Sequence, residues 1–283
     1  MQPITALHPR IFTALFGLFA LCLLPFAPVQ AAERDRLEAF LEVTGFDVSL
    51  NSIALSAEQA PDMLGMQASD FGENWRIMAE QVFDQGVMHK MALDILEQTL
   101  SDDLLTHAAG FYASDLGQRL VEVENASHMI EDDETKRADG DALIAEYGTG
   151  PGTRGEILMQ LNEAVDSAGT GVRAIQELQV RFLMAASNAG VLENEIDEGA
   201  LRALLAEGED ELRESLKESS LASAAYTYRD ISDEDMLAYR DALRDSKMQQ
   251  VYELMNAIQH EVTANRFEAL ADRMAGVQRS EDL

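Results

Sequence analysis

The chain has 283 residues, and its 21 lysines and arginines face 51 aspartates and glutamates, a formal net charge of −30 at pH 7. So acidic a surface repels nucleic acids and anionic lipids, which disfavours both as partners. Hydrophobic residues make up 47% of the chain, which argues against a disordered protein.

The N-terminal segment has the pattern of a secretory signal peptide. Arg10 supplies a positive charge, an apolar run follows at residues 11–25, and the segment closes on Val29-Gln30-Ala31. Small residues at the last and third-last positions are what signal peptidase accepts. We therefore predict that residues 1–31 are a cleaved signal peptide and that the protein is periplasmic or secreted.

Two other interpretations of this segment fit its residues less well. An uncleaved membrane anchor is disfavoured because the apolar run is short for a membrane span and is interrupted by Pro25 and Pro28. A lipoprotein is disfavoured because Leu21 precedes Cys22, where a small residue would be needed.

Cleavage after residue 31 would leave 283 − 31 = 252 residues, and it would remove Cys22, the only cysteine. The remaining chain could form no disulfide, but its length allows an ordinary core in one or two domains. We interpret the acidic residues as a solvated surface, with a cationic partner or divalent ions as narrower alternatives.

Helix-forming residues dominate after residue 31, and no stretch alternates as a β-strand does. The pattern predicts an all-α fold of about ten amphipathic helices in two related helical bundles. The helices predicted early in the first half, residues 32–147, are 34–44, Asp47 to near Pro61, one capped by Ser69 or Asp70, and 87–99. Trp75, the only tryptophan, is predicted to be a core anchor.

Residues 101–126 form the most regular stretch of the first half, which we predict to be two helices joined at a tight corner. Ser101 is placed to cap the first helix, and Ser114 with Asp115 to cap the second. Helical spacing predicts one apolar stripe on the second helix, formed by Leu116, Leu120, Val123 and Ile130.

Residues 148–152 mark the clearest internal boundary, because three glycines and a proline within five residues cannot continue a helix. We predict a linker there, then a second helical half at 153–275 and a tail at 276–283. Helices are predicted in the second half near Ile157 and Val172, over 198–207 and 212–228, and from Ser232 onwards.

The stretch from Ser232 to Ala257 is a weak copy of the first corner. A shift of 131 residues aligns six identical pairs: Ser101 and Ser232, Asp102 and Asp233, Gln118 and Gln249, Glu122 and Glu253, Asn125 and Asn256, Ala126 and Ala257. Helical periodicity alone would align the apolar positions, so only the polar matches are informative. They predict that the second half is a diverged repeat of the first.

No motif in the chain predicts a catalytic, cofactor-binding or metal-binding residue. The four histidines after residue 31 lack metalloprotease spacing, and the glycine-rich loops lack the ending of a phosphate loop. His128 beside Glu131–Glu134 is the one place where a divalent ion is conceivable, but the run lacks the spacing and the glycine of a calcium loop. A solvated helix start is the simpler interpretation of that run.

Three segments of the first half carry a resemblance to a known family: Phe71-Gly72-Glu73-Asn74-Trp75, Leu100-Ser101-Asp102, and the corner from Phe111 to Gln118. They resemble exported bacterial proteins of the domain-of-unknown-function 2059 family. In that family the corner commonly has Ser-Pro, whereas Asp115 takes the proline position here. The resemblance implies a helical, exported protein and brings no catalytic residues.

These observations predict an exported, non-enzymatic protein that is a periplasmic binding or envelope-associated interaction module. Its expected partner is an unknown protein or envelope component, and the acidic surface favours a cationic one. We expect no nucleic-acid partner, no cofactor and no membrane span after residue 31. One alternative is an enzyme of an unrecognised class, using His107, Tyr112 and carboxylates in a groove between helices. Another is low-affinity binding of divalent cations by the acidic surface.

Overall fold

A computed structural model describes residues 30–71, 74–192 and 194–281. Within these ranges every regular element is helical and no β-strand occurs, which confirms the predicted all-α fold. The predicted signal peptide lies outside the described residues except for residues 30 and 31. None of the helices in the described ranges combines the length and apolar character needed to cross a membrane.

Fourteen α-helices, more than the ten or so predicted, are found in the described residues. In chain order they are α1 (Gln30–Thr44), α2 (Phe46–Ser52), α3 (Ala60–Met63), α4 (Asn74–Val82), α5 (Gln85–Thr99), α6 (Asp102–Tyr112), α7 (Asp115–His128), α8 (Asp133–Tyr147), α9 (Arg154–Val165), α10 (Gly171–Ala189), α11 (Glu198–Glu207), α12 (Glu209–Thr227), α13 (Asp233–Leu243) and α14 (Ser246–Glu281). Short 3₁₀ helices span Ile53–Gln59 and Ala68–Phe71.

Most helix ends lie where the sequence places them. The first helix ends at Thr44, before Gly45 in the left-handed conformation, and α11 has the predicted bounds. The predicted stop at Pro61 is wrong, because this proline lies in the first turn of α3, where a missing N–H breaks no helical hydrogen bond. Trp75 is buried, as predicted.

Apolar stripes were less reliable than helix ends. On α11 no residue is buried, and Leu204 is 65% exposed. On α7 the residues that are buried are Gly117, Leu120 and Ser127. Of the predicted stripe, Leu120 is buried, and Leu116 and Val123 are partly buried against the core. The buried Ser127 lies outside the predicted stripe.

Helices from the two sides of residues 148–152 pack against one another. The segment itself ends α8 at Gly148, which has a positive φ, and the chain resumes in α9. Beyond it, α12 packs along α8, and the long α14 contacts α4, α5 and α6 as well as α10. One hydrophobic core contains buried residues from both sides, among them Phe40, Leu120, Phe182 and Tyr239.

The two corners have the same geometry. Helices α6 and α13 have 11 residues each, and each follows a serine whose Oγ accepts a hydrogen bond from the backbone N–H three residues on, Ser101 at 3.4 Å and Ser232 at 3.1 Å. The helices that follow start at Asp115 and Ser246, again 246 − 115 = 131 residues apart. This equivalence supports the predicted duplication, which stays a prediction.

The corners also face each other. Three polar contacts of 2.9 Å join them, His107 to Asp245, Asp103 to Lys247, and Arg119 to Asp235. Exposed pairs of this kind contribute about 0–1 kcal/mol each, so they orient the corners more than they hold them together. Buried apolar side chains of both corners, including Leu105, Leu120 and Met236, supply the larger contribution.

Helices α8 and α12 approach each other at a glycine. A Cβ atom added at Gly140 would overlap the backbone carbonyl of Ala222, and both residues are buried. The absent side chain lets the two backbones come close, because the distance between helix axes depends on the side chains between them. Gly140 therefore fixes how a helix of the first half lies on one of the second.

We predict that Gly140→Ala lowers the free energy of unfolding by about 1–3 kcal/mol, since the new methyl group must push α12 away. The matched control is Gly110→Ala in α6, where an added Cβ meets no atom within 4 Å. That change should raise stability by about 0.5–1 kcal/mol through the helix preference of alanine. Urea unfolding of both variants measures the difference, and equal effects would contradict the close approach.

Candidate functional site

A glutamate of α7 is hydrogen-bonded to tyrosines of the second half. The Glu124 Oε1 atom accepts a hydrogen bond of 2.6 Å from the Tyr228 hydroxyl and one of 3.0 Å from the Tyr239 hydroxyl. Tyr228 follows the end of α12 and Tyr239 lies in α13. One carboxylate oxygen thus joins α7 to two elements more than 100 residues further along the chain.

Two further tyrosines extend this network. The Tyr252 hydroxyl lies 2.7 Å from that of Tyr239, and the Tyr112 hydroxyl forms a short contact with Tyr252. Tyr112 is at the end of α6 and Tyr252 is in the second turn of α14, so both corners contribute. Four of the six tyrosines of the chain therefore meet around Glu124. We call Glu124 and these four residues the tyrosine–glutamate cluster.

Neighbouring groups fix the tyrosine side chains. The ring of Phe111 stacks on that of Tyr239, with centroids 5.9 Å apart and planes 8° from parallel. The guanidinium of Arg154, at the start of α9, donates hydrogen bonds of 2.7 Å to the Tyr228 carbonyl and 2.6 Å to the Ile231 carbonyl. Arg154 therefore holds the turn that presents the Tyr228 hydroxyl to Glu124.

Burial changes the acid–base behaviour of the cluster. Burial raises the pKa of the Glu124 carboxyl from 4.5 to about 7, against the opposing effect of the two tyrosine hydrogen bonds. It also raises the pKa of each tyrosine hydroxyl, and the nearby carboxylate adds to this shift. All four phenols are therefore neutral donors near pH 7, and Glu124 is the group that changes charge there.

A cavity of about 440 Å³ adjoins the cluster and includes all five of its residues in the lining. Its walls come from nine helices, α1, α2, α6, α7, α8, α9, α12, α13 and α14, so residues of both halves line it. A hydrogen bond of 2.7 Å between the hydroxyls of Ser127 and Thr227 joins the halves again at this wall. A volume of this size lies in the range of small-molecule sites in proteins.

Several polar groups of the lining have capacity for another partner. Within the described residues, Glu124 Oε2 accepts no hydrogen bond, and the side-chain amides of Asn125 and Asn162 form none. Asn125 lies so close to Gly45 that a Cβ there would overlap its amide oxygen, and Gly45 has a φ of 70°. Position 45 therefore requires glycine for two reasons, the lack of space for a side chain and the left-handed backbone conformation.

The remaining ionisable groups of the lining are His128 and Lys136. The Lys136 ammonium donates a hydrogen bond of 3.0 Å to the Ser127 carbonyl, and burial lowers its pKa. Burial and the charge of Lys136 also lower the pKa of His128, which favours the neutral imidazole. The cavity thus has one carboxyl group and one ammonium group among neutral polar and aromatic side chains.

The residues singled out from the sequence are only partly together. Tyr112 lies in the cavity wall with Glu124, whereas His107 is outside the wall and contacts Asp245 of the second corner. His128 lines the cavity, but the acids after it belong to the start of α8. There Asp132 is the N-cap and accepts a hydrogen bond of 2.9 Å from the Thr135 N–H.

No group of three or more histidine, cysteine, aspartate or glutamate side chains in the described ranges is arranged to hold a metal ion. Among the acids after His128, Asp132 is the N-cap of α8, and Asp133 and Glu134 lie in its first turn.

Sequence reasoning missed Glu124, Tyr228, Tyr239 and Tyr252. Glu124 was hidden because it is one of 51 acids, most of which are solvated. The spacing of Glu124 was one signal. Gly117, Leu120, Glu124 and Ser127 follow one another at steps of three, four and three residues, so they share one face of α7. The other three residues of this face are buried. A carboxylate on such a face requires hydrogen-bond donors, and tyrosines were the candidates.

Comparison with known proteins gives one family match. Residues 87–144 match the model of a family described as "Uncharacterized protein conserved in bacteria (DUF2059)". This confirms the predicted resemblance for α5 to α8, including the corner, whereas residues 71–75 lie outside the match. No curated protein and no solved structure matches the chain. The matched segment contains Tyr112 and Glu124 but none of the tyrosines of the second half.

The pKa of Glu124 predicts a pH-dependent contribution to stability. A carboxyl whose pKa is about 7 when folded and 4.5 otherwise favours folding in its protonated form. That contribution is complete below about pH 4.5 and is lost as the pH rises to about 7, a loss of about 3 kcal/mol. Glu124→Gln keeps the hydrogen-bond acceptor without the charge, so the variant should lack this loss.

Urea unfolding from about pH 4.5 to pH 8 measures the effect. The stability of the Glu124→Gln variant relative to the wild type should rise by about 3 kcal/mol over this interval. Glu122→Gln, which removes an exposed carboxylate two residues earlier on α7, is the matched control. Parallel curves for Glu124→Gln and the wild type would show that Glu124 titrates as a solvated acid does.

Proposed function

We propose that this protein is an exported, non-enzymatic binding protein whose ligand occupies the cavity beside the tyrosine–glutamate cluster. The observation behind this proposal is the cavity of about 440 Å³, which residues of both halves line and which contains polar groups with unused hydrogen-bond capacity. Concave sites with an aromatic and apolar wall and a few convergent polar groups are typical of ligand binding. Stacked and hydrogen-bonded aromatic side chains keep the wall in place without a ligand.

The exported location rests on the sequence of residues 1–31 and on the lack of cysteine after them. A chain without cysteine is insensitive to an oxidising compartment. In that setting the acidic surface keeps the protein soluble and steers cationic molecules towards it. The envelope partner proposed for this protein is thus the molecule that the cavity receives.

An enzymatic role is the second proposal, and a specific observation favours it. A carboxyl with a pKa of about 7 in a cavity, hydrogen-bonded to neutral phenols, is suited to general acid–base catalysis near neutral pH. It would use Tyr112 and Glu124 together. Turnover of any bound compound, abolished by Glu124→Gln with binding retained, would favour this alternative over simple binding.

Ligand binding can be tested by filling the cavity. Ser223 lines it from α12, and Ser215 lies on the same helix outside it and is exposed. We expect ligand-detected NMR with a mixed library of small polar compounds to find binders of the wild-type protein. Ser223→Phe should abolish their binding by occupying the space, and Ser215→Phe should leave it unchanged. The proposal would be refuted if no compound binds, or if the compounds that bind do so equally well to the Ser223→Phe variant.

Export predicts the N-terminus of the mature protein. When the full chain is expressed in a bacterium with a periplasm, the exported form should begin at Ala32 and contain 283 − 31 = 252 residues. Intact-mass measurement on the periplasmic fraction checks this. Replacing Ala31 with a bulky residue should block cleavage, because signal peptidase accepts only small side chains there. An unprocessed chain retained in the cytoplasm would contradict export.

A further inference from the structure

The free oxygen of Glu124 points to the kind of group that the cavity receives. Oε1 is already shared by the hydroxyls of Tyr228 and Tyr239, whereas Oε2 accepts no hydrogen bond within the described residues. Because Glu124 lines the cavity, a ligand group there would meet a carboxylate oxygen with both lone pairs unused. Only a hydrogen-bond donor satisfies such an atom, and a charged donor does so most strongly.

Aromatic rings surround the same space. The cavity lining includes six aromatic side chains: Phe40, Phe46, Tyr112, Tyr228, Tyr239 and Tyr252. Aromatic groups accept the apolar body of a ligand and also stabilise a nearby cation by about 0.5–2 kcal/mol when it lies over a ring. The tyrosines add no competing positive charge.

The neutral groups around Glu124 and the charge of the whole molecule favour a cation. The groups that face Glu124 from other helices are the neutral phenols of α6, α13 and α14 and of the residue after α12. Lys136 and His128 are the remaining ionisable lining residues, and the Lys136 ammonium is hydrogen-bonded to the Ser127 carbonyl. Beyond the cavity, the net charge of −30 attracts cations at long range.

We propose that the ligand is a small organic cation with an apolar body, whose ammonium group donates a hydrogen bond to Glu124 Oε2. This inference rests on the proposed binding function and adds the chemical class of the ligand. The ammonium would replace water at Oε2, and the aromatic wall would receive the rest of the molecule. A carboxylate ligand would face repulsion from Glu124, and a neutral alcohol would gain only an uncharged hydrogen bond.

Binding of a cation is coupled to the proton on Glu124. Because the pKa of Glu124 is about 7, the free protein holds a proton there at lower pH. A bound ammonium favours the ionised carboxylate, so binding releases that proton and weakens as the pH falls below about 7. A neutral ligand has no such coupling.

Three probes of similar shape test this inference by calorimetry on the full chain at about pH 8, where Glu124 is ionised. They are 2-phenylethylamine, 2-phenylethanol and 3-phenylpropionate. We expect the amine to bind at least about tenfold more tightly than the alcohol, since a charge-assisted hydrogen bond is about twice as strong as a neutral one. The carboxylate should bind most weakly.

Two comparisons link the preference to Glu124. Glu124→Gln should reduce the affinity for the amine to that for the alcohol, and Glu122→Gln, on the exposed side of α7, should change neither. In the wild type, lowering the pH to about 5.5 should weaken amine binding about tenfold and leave alcohol binding unchanged. This pH series requires no variant, so it decides the question even where a substitution destabilises the fold.

Three results would overturn the inference that the ligand is a cation: equal affinities for the amine and the alcohol, an amine affinity that does not change with pH, or no heat of binding from any probe. The binding function is judged separately. If the alcohol or other neutral compounds bind and Ser223→Phe blocks them, the cavity is a binding site and only the ligand class is wrong. If Ser223→Phe leaves amine binding unchanged, the amine binds elsewhere and both proposals fail.

Discussion

The hydrogen bonds of Glu124 are the constraint on which the centre of this molecule depends. A partly buried carboxylate is costly unless donors satisfy it, and the donors come from Tyr228 and Tyr239 in the second half. Meeting that requirement fixes the end of α12 and the face of α13 relative to α7. Tyr252 and Tyr112 then bring α14 and α6 to the same point. The cavity is the space left beside this junction.

The same arrangement explains why the halves form one core. The hydroxyl of Ser127 forms a hydrogen bond with that of Thr227, and Gly140 lies against Ala222. Each of these contacts joins residues about 80–100 positions apart, one from each half. The cavity is therefore built from contacts between halves, and a single half would supply only part of its wall.

Local sequence signals predicted the fold well and the candidate site poorly. Capping serines predicted the helix starts at the corners, because a cap depends on residues within one helical turn. The apolar stripe predicted on α7 includes Leu116 and Val123, which pack against the core, but it omits the polar residues Glu124 and Ser127. Apolar patterns cannot reveal a buried polar position whose partners lie 100 residues away.

By itself, the sequence determined the helical class, the helix caps, the break at residues 148–152 and the resemblance that the match over residues 87–144 confirms. Each of these depends on neighbouring residues, whose spacing in the chain is also their spacing in a helix. Only the tertiary structure decided that four of six tyrosines meet one glutamate and that a cavity adjoins them. Those facts depend on how helices dock, and the pKa of Glu124 rises because docking removes water from it.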